Sequence, residues 1–299
     1  MPISAQSTLQ SGCGYHVWRS AGIVEHRGAD ALDLLHRLTT KSLIDLEIGK
    51  SERTILTSNR GRVVDAFDVA RVDDEVLILV SDQHSAAPLI DAVDYYTIIE
   101  DAELRDLSNE HSRISLVGPE APIVASRISE ELPDVFVIDD SSKPVAWFEL
   151  IFTDADKPKV ISILEKSEAM SIDVDDYAQF RIEHKIPAVG HELGEHSNPI
   201  EAGALDRIDF DKGCYVGQEV IARLDAYDKV QRNLIQLQSS SRIDDFTDVT
   251  DGDRTVGVVT TSSSVTQQDG AYKSLALVRL AYVEPGTKLQ SGDTELTVL

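Results

Sequence analysis

Beyond Val230 the chain carries no helix signal. Val230 to Gln238, Arg254 to Thr260, Tyr272 to Val283 and Glu295 to Leu299 are strand-like, with Ser- and Asp-rich turns at Ser239 to Asp253 and Ser262 to Gly270. A tail of roughly 70 residues built from strands alone must close on itself or stack in order to bury one face. That predicts a small β-barrel or sandwich appended to whatever precedes it.

What precedes it mixes helices and strands. Leu32, Leu35 and Leu38 stand at helical spacing, with Asp30 available as N-cap. Thr54 to Leu56, Val63 to Val72 and Glu75 to Val80 are expected strands, with turns at Ser58 to Arg62 and at Asp73-Asp74. A helix over His84 to Tyr95 and a strand over Thr97 to Arg105 follow. Arg113 to Pro119 opens a second, similar series: a helix at Ala121 to Glu131, strands at Val135 to Ile138 and Pro144 to Phe152, and helices at Lys157 to Ser167 and Asp175 to His184. The interleaving lacks a strict βαβ rhythm, so the pattern implies α+β layering rather than a doubly wound sheet. No internal repeat or low-complexity tract stands out.

At 299 residues, two or three domains are expected. No apolar run approaches membrane-spanning length, and Met1 to Ser11 lacks the basic start and apolar run of a signal peptide. Cys13 and Cys214 are too few for a disulfide framework and suit a reducing cytoplasm. The net charge of −24, from 28 basic and 52 acidic residues, is a poor background for binding nucleic acid directly. Lys50, Arg53, Arg60, Arg62 and Arg71 form the basic-leaning stretch, either a place for an anion or solvated strand-edge charge.

His191-Glu-Leu-Gly-Glu-His196 resembles a zinc motif only superficially. Its histidines are five apart rather than one helical turn, and Gly190 and Gly194 argue for a loop. No metal site is expected. No glycine-rich loop has dinucleotide or P-loop spacing. A Cys–His dyad would need His184, His191 or His196 beside Cys214, and neighbourhood in sequence does not establish one. The context of Cys214 is more informative. Lys212 and a glycine-flanked turn favour a thiolate, Gly213 and Gly217 permit unusual backbone angles or close approach, and a helix is expected from Gln218. On these grounds a buried inert cysteine and an accessible thiol remain equally open.

Asn198-Pro-Ile-Glu-Ala-Gly203 followed by Phe210-Asp-Lys-Gly-Cys-Tyr-Val-Gly-Gln-Glu-Val-Ile-Ala-Arg223 resembles the signature of YgfZ-type folate-binding proteins, relatives of the glycine-cleavage aminomethyltransferase (T-protein). Supporting matches are Gly28 to Thr40, Gly61 to Phe67, and Arg181-Ile-Glu with Ile186-Pro. The resemblance implies an α+β, multi-domain, ring-like aminomethyltransferase folate-binding fold with a C-terminal small β-barrel. Residues 1–229 would form the folate-binding body, two α+β subdomains with the second beginning near 110, and residues 230–299 the barrel.

By the same resemblance the cofactor is tetrahydrofolate or a one-carbon derivative. Glu201 would accept two N–H bonds from the pterin, a bidentate geometry suited to a carboxylate, with a helix-start glutamate as the plain alternative. Cys214 would be the functional thiol, with Lys212 beside it. Gln218, Glu219 and Arg223 match motif positions. Arg223 would meet a folate carboxylate or pair with Asp225, and Tyr215 would stack on the pterin or pack in the core. The transferase has an activating aspartate after the strand ending here at Val80, where this chain reads Val80 to Pro88; Asp82 and Asp91 are out of register. The transferase also lacks the cysteine. Both departures favour the branch that supports assembly or repair of iron–sulfur clusters, including those of tRNA-modifying enzymes, over a one-carbon transferase such as an aminomethyltransferase or demethylase. Expected partners are a folate and iron–sulfur enzymes or assembly proteins, with no membrane and no direct nucleic-acid contact. A single thiol cannot hold a cluster alone, so any cluster contact would be transient or shared.

Overall fold

The computed structural model describes residues 9–140, 143–226, 230–267 and 270–299. The leader reading therefore rests partly on residues outside those described. By contacts the chain forms two compact units. The first comprises Met1–Ser58, Val64–Ile172 and Asp206–Val216, and the second Asn59–Val63, Asp173–Leu205 and Gly217–Leu299. The division at 229/230 is kept as a proposal from family resemblance; it falls beside residues 227–229, outside the described set.

The first unit holds two five-stranded sheets. One runs β3 (Ser51–Thr57), β4 (Val63–Asp73), β5 (Val76–Ser81), β2 (Gly22–Arg27), β6 (Glu103–Asp106). The other runs β10 (Met170–Ser171), β1 (Gly14–Val17), β7 (His111–Val117), β9 (Trp147–Thr153), β8 (Phe136–Asp139). Alternation along each strand sends side chains to opposite faces. In the first sheet Val24, Leu56, Phe67, Val69, Leu77 and Leu79 pack with Leu34, Leu35 and Leu38 of α1 (Ala31–Leu38) and Leu89 and Val93 of α2 (Ala87–Asp94). Their alternates Ile23, Ala70, Ile78 and Val80 join Ile138 and Ile151 of the second sheet. Ile114, Leu116, Leu150 and Phe152 face away, under Val124 and Ile128 of α3 (Ala121–Glu131) and Val160, Ile163 and Leu164 of α4 (Lys157–Lys166). The layering is helix, sheet, sheet, helix.

Part of the space between the sheets is ionic. By the same parity Arg53, Asp68, Arg113, Ser115, Trp147 and Glu149 stand at inter-sheet positions. Arg113 Nε donates to Glu149 Oε2 at 2.8 Å, and Arg113 Nη1 to the Ser81 carbonyl at 2.9 Å. Ser115 Oγ and Trp147 Nε1 also donate to Glu149. Arg53 pairs with Asp68 at 2.8 Å and with Asp82, and Lys143 with Asp140 at 2.7 Å. Burial alone would raise the pKa of Asp82, but Arg53, Arg113 and Lys143 outweigh it and hold the carboxyl below its usual range. Asp68, buried and faced by Asp140 and Asp82 as well as Arg53, is pushed up to about 6, burial being the largest cause.

The second unit contains a closed barrel in the order β11 (Arg232–Ser239), β14 (Tyr272–Arg279), β13 (Arg254–Ser262), β12 (Asp248–Asp251), β15 (Lys288–Ser291), β16 (Thr294–Val298), with β16 pairing back on β11. A side chain at Gly257 would meet the Leu277 carbonyl at 2.6 Å, which is why glycine stands where β13 crosses β14. α5 (Val174–Glu183) packs on β13 and β14. Its C-terminal carbonyls, Ile182 and Glu183, accept from Gln236 Nε2 at 2.6 and 3.0 Å. Arg181 pairs with buried Glu192, which also accepts from Thr260 and Thr261.

Several sequence expectations shift. The strand expected over Thr97 to Arg105 forms as Glu103–Asp106 alone. Glu100 instead accepts the backbone N–H groups of Ile98 and Ile99, folding that stretch into a turn and exposing both isoleucines. Asp30 precedes α1 without capping it, because its carboxylate accepts from Asp101 N. β12 and β15 lie in stretches read as turns or left unassigned; at four residues each they are too short to show a period. Arg53, read as part of a basic surface stretch, is 5% exposed and ion-paired.

Replacing Arg113 by leucine would strand Glu149 and Asp82 with one fewer buried cation, and is expected to cost about 3–5 kcal/mol of stability. Urea denaturation checks it: an unchanged midpoint would show that the pairing is dispensable.

Candidate functional site

Residues 207–216 form a strap across the end of α1. Thr40 Oγ1 donates to the Arg207 carbonyl at 2.6 Å, and Asp209 N to the Thr40 carbonyl at 3.0 Å. The Asp209 carboxylate takes Ser42 N at 2.7 Å and Lys41 Nζ at 2.9 Å. Lys212 Nζ donates to the carbonyls of His36, Thr39 and Lys41 at 2.6, 2.6 and 2.8 Å. A helix ends with unsatisfied carbonyls and a partial negative charge, so an ammonium there satisfies hydrogen bonds and dipole together. Lys212 thus does structural work at the α1 C-terminus. Partial burial lowers its pKa to about 8.

The strap presents Cys214 outward: the thiol is free and exposed, whereas Cys13 is buried, and burial pushes that thiol up to about 12. Of the two equally open readings of Cys214, the accessible one holds. Tyr215 is buried below it, with Lys212 Nζ 5.4 Å from its ring centre, and burial raises its phenol to about 12. The two glycines differ. Gly217 has φ +81°, in the region that favours glycine, but Gly213 has no positive φ and a Cβ there would meet nothing within 4 Å. Of the expectation that these glycines permit unusual backbone angles or close approach, the unusual angle is found at Gly217 and not at Gly213.

Asp65 lies within the stretch Gly61 to Phe67. It is fully buried in β4, takes Ser81 Oγ at 2.7 Å and its neighbour's Ala66 N at 2.8 Å, and burial raises its pKa to about 7. A carboxyl poised near neutrality can both give and take a proton. The available signal was a carboxylate inside the apolar run Val63 to Ala70. Asp82, considered as a stand-in for the transferase aspartate, is instead clamped between Arg53 and Arg113, and Asp91 lies exposed on α2.

In the second unit, Asn198 Oδ1 accepts the N–H groups of Ile200 and Glu201, each at 3.0 Å, and this turn fixes where the Glu201 side chain begins. The Glu201 carboxylate is buried. Arg232 grips it through Nη2 at 2.9 Å and Nε at 3.5 Å, with Arg62 Nη1 at 3.8 Å. Arg232 Nη2 also donates to the His196 carbonyl at 2.7 Å. A carboxylate offers about four lone-pair sites, so these contacts leave acceptor capacity for a ligand's N–H groups. On α6 (Gln218–Ala226), Arg223 pairs with Glu219 at 2.9 Å, not with Asp225; both are exposed, so the pair contributes little. Gln218 is half-buried at the start of that helix. His191 and His196 lie in a loop, and among the described residues no cluster of three or more His, Cys, Asp or Glu could hold a metal.

Residues 8–136 match the family model for the GCVT N-terminal domain. The fold is aminomethyltransferase-like: it is similar to the glycine cleavage system aminomethyltransferase T of Bartonella henselae, with a TM-score of 0.82 at 17% identity, covering 99% of this chain and 87% of that one. Residues 8–136 are thus similar to a GCVT N-terminal domain, and the chain has an aminomethyltransferase-like fold. Similar sequences include a chloroplastic protein of Arabidopsis thaliana whose name calls it a transferase, 24% identical over 258 residues, 80% of this chain and 59% of that one. The aminomethyltransferase of Halalkalibacterium halodurans is 26% identical over 223 residues, 68% of this chain and 61% of that one. That of Exiguobacterium sibiricum is 25% identical over 279 residues, 87% and 76%. This chain thus spans about three fifths of the length of the first two relatives. Among the described residues no helix is long and apolar enough to cross a membrane.

The hydrogen bond from Ser81 stabilises the ionised form of Asp65, so Ser81→Ala is expected to move the Asp65 titration upward from about 7. Carboxyl carbon chemical shifts followed across pH check this; a midpoint in the ordinary aspartate range would overturn it.

Proposed function

We propose that this chain is a tetrahydrofolate-binding protein that supports assembly or repair of iron–sulfur clusters in client enzymes. The observation that carries the folate reading is Glu201: a buried carboxylate on an Asn-Pro-x-Glu turn, gripped by Arg232 yet retaining acceptor sites that match pterin N–H donors. The GCVT-domain match and the aminomethyltransferase relatives support it. Bound tetrahydrofolate would bring a one-carbon carrier; the protein's part would be to hold and orient it. The cluster reading rests on Cys214, a free thiol held outward on a strap fixed by Lys212 and Asp209. Lys212 serves that role by anchoring, and Gln218, Glu219, Arg223 and Tyr215 remain proposed neighbours of the ligand.

A second reading, folate-dependent one-carbon transfer, is favoured by Asp65, because proton movement at a folate amine needs a group that titrates near neutrality. The two readings share the ligand and differ in the residue that matters.

Calorimetric titration with tetrahydrofolate is expected to show binding that Glu201→Gln weakens by about tenfold or more, since buried donors would lose their charged acceptor. No heat with the wild-type protein at millimolar ligand would remove the folate reading. Turnover of a methylamine-type donor into methylene-tetrahydrofolate, lost in Asp65→Asn and kept in Cys214→Ala, would select transfer. Loss of client-enzyme clusters in a Cys214→Ala strain, without such turnover, would select the accessory role.

A further inference from the structure

The first unit has a polar pocket that plays no part in the proposed folate and thiol chemistry. It lies where the segment after β1, the turn entering β7 and the start of α4 converge, and its volume is about 370 Å³. Trp18, Arg19, His111, Asp154 and Lys157 line it, with serine hydroxyls between them. Its inner wall is stiff: the Arg113 guanidinium sits 4.6 Å from the Trp18 ring centre, and the Trp18 indole N–H donates to Ser115 Oγ at 2.8 Å. Arg113 is already matched by Glu149 and Asp82, so its charge belongs to the sheet interior.

Arg19 and Lys157 are different. Neither forms an ion pair among the described residues, in a chain where 52 acidic residues face 28 basic ones and carboxylate partners are in excess. His111 adds a ring nitrogen, Nδ1, sealed from solvent with no hydrogen-bond partner. The carboxylate in the lining, Asp154, accepts from Ser112 Oγ at 2.6 Å. Two cations without an ion-pair partner among the described residues, facing one concavity, are the complement of an oxyanion.

We propose that this pocket binds a small phosphate-bearing ligand, Arg19 and Lys157 supplying the charge-assisted hydrogen bonds and Asp154 opposing them. Trp18 makes the site observable, because the chain has two tryptophans and the other, Trp147, is buried on Glu149. The probe is inorganic phosphate, titrated at constant ionic strength against sodium chloride and followed by the indole N–H resonance of Trp18, assigned with Trp18→Phe. A saturable shift with phosphate and none with chloride is expected. Arg19→Ala and Lys157→Ala should each weaken binding by about tenfold or more, as for loss of a charged hydrogen bond. Asp154→Asn should tighten it. Lys166→Ala, which removes an exposed cation at the far end of the same helix, should leave it unchanged. A linear shift, or losses no larger in the two pocket variants than in Lys166→Ala, would overturn the site. Because the readout is phosphate at Trp18, failure here leaves tetrahydrofolate binding untouched, and the converse holds.

Discussion

Charges buried between two sheets have to be paired, and that requirement organises the first unit. Arg113 reaches from β7 to Glu149 on the neighbouring strand, to Asp82 and to the Ser81 carbonyl, so it joins both sheets with one side chain. Arg53, from the other sheet, pairs with Asp68 on its own sheet and reaches Asp140, just after β8, at 3.6 Å. Taking these ions out of water is expensive, and only a nearly complete set of partners offsets it. The aliphatic remainder of the interface, Ile23, Ile78, Val80, Ile138 and Ile151, packs beside these ions. We regard the network as a device for specifying how the sheets meet more than as a source of net stability.

The candidate chemistry sits at the edges of this frame. Asp65 faces the α1 and α2 side of its strand and forms no ion pair among the described residues, so burial leaves it titrating near neutrality while Asp82 stays ionised. Two carboxyls, close in the fold, are driven apart in proton affinity by whether an arginine reaches them. Lys212 makes a parallel point. Its charge neutralises the end of α1 and in doing so holds the strap from which Cys214 projects. In the second unit Glu201 depends on a side-chain turn at Asn198 and on Arg232 from the barrel.

Much of the fold is legible because burial imposes periods. The helix at Ala121 to Glu131 and the long strand from Val63 show their elements in the spacing of apolar residues, and the strand-only tail announces a barrel or sandwich, of which the barrel forms. The expected strand from Thr97 misled because Ile98 and Ile99 look like strand residues, yet a single acceptor, Glu100, turns the chain first. Four-residue strands such as Asp248–Asp251 are invisible because they exist only by pairing with β13 and β15.

Of the site, sequence marked Glu201, Lys212 and Cys214 as a motif. It assigned Lys212 to the thiol, because adjacency in the chain was the sole geometry available; the carbonyls Lys212 meets lie some 170 positions away. By itself the sequence determined which residues are apolar at which period, hence the layers, an all-strand tail and the presence of a motif. Tertiary structure alone decided which charges find partners. That choice separates ionised Asp82 from poised Asp65, and paired Arg113 from Arg19 and Lys157, which form no ion pair among the described residues. The reason is physical: local sequence sets backbone preference and side-chain direction, whereas a charge's behaviour depends on the distance to its counter-ion and on the water excluded around both.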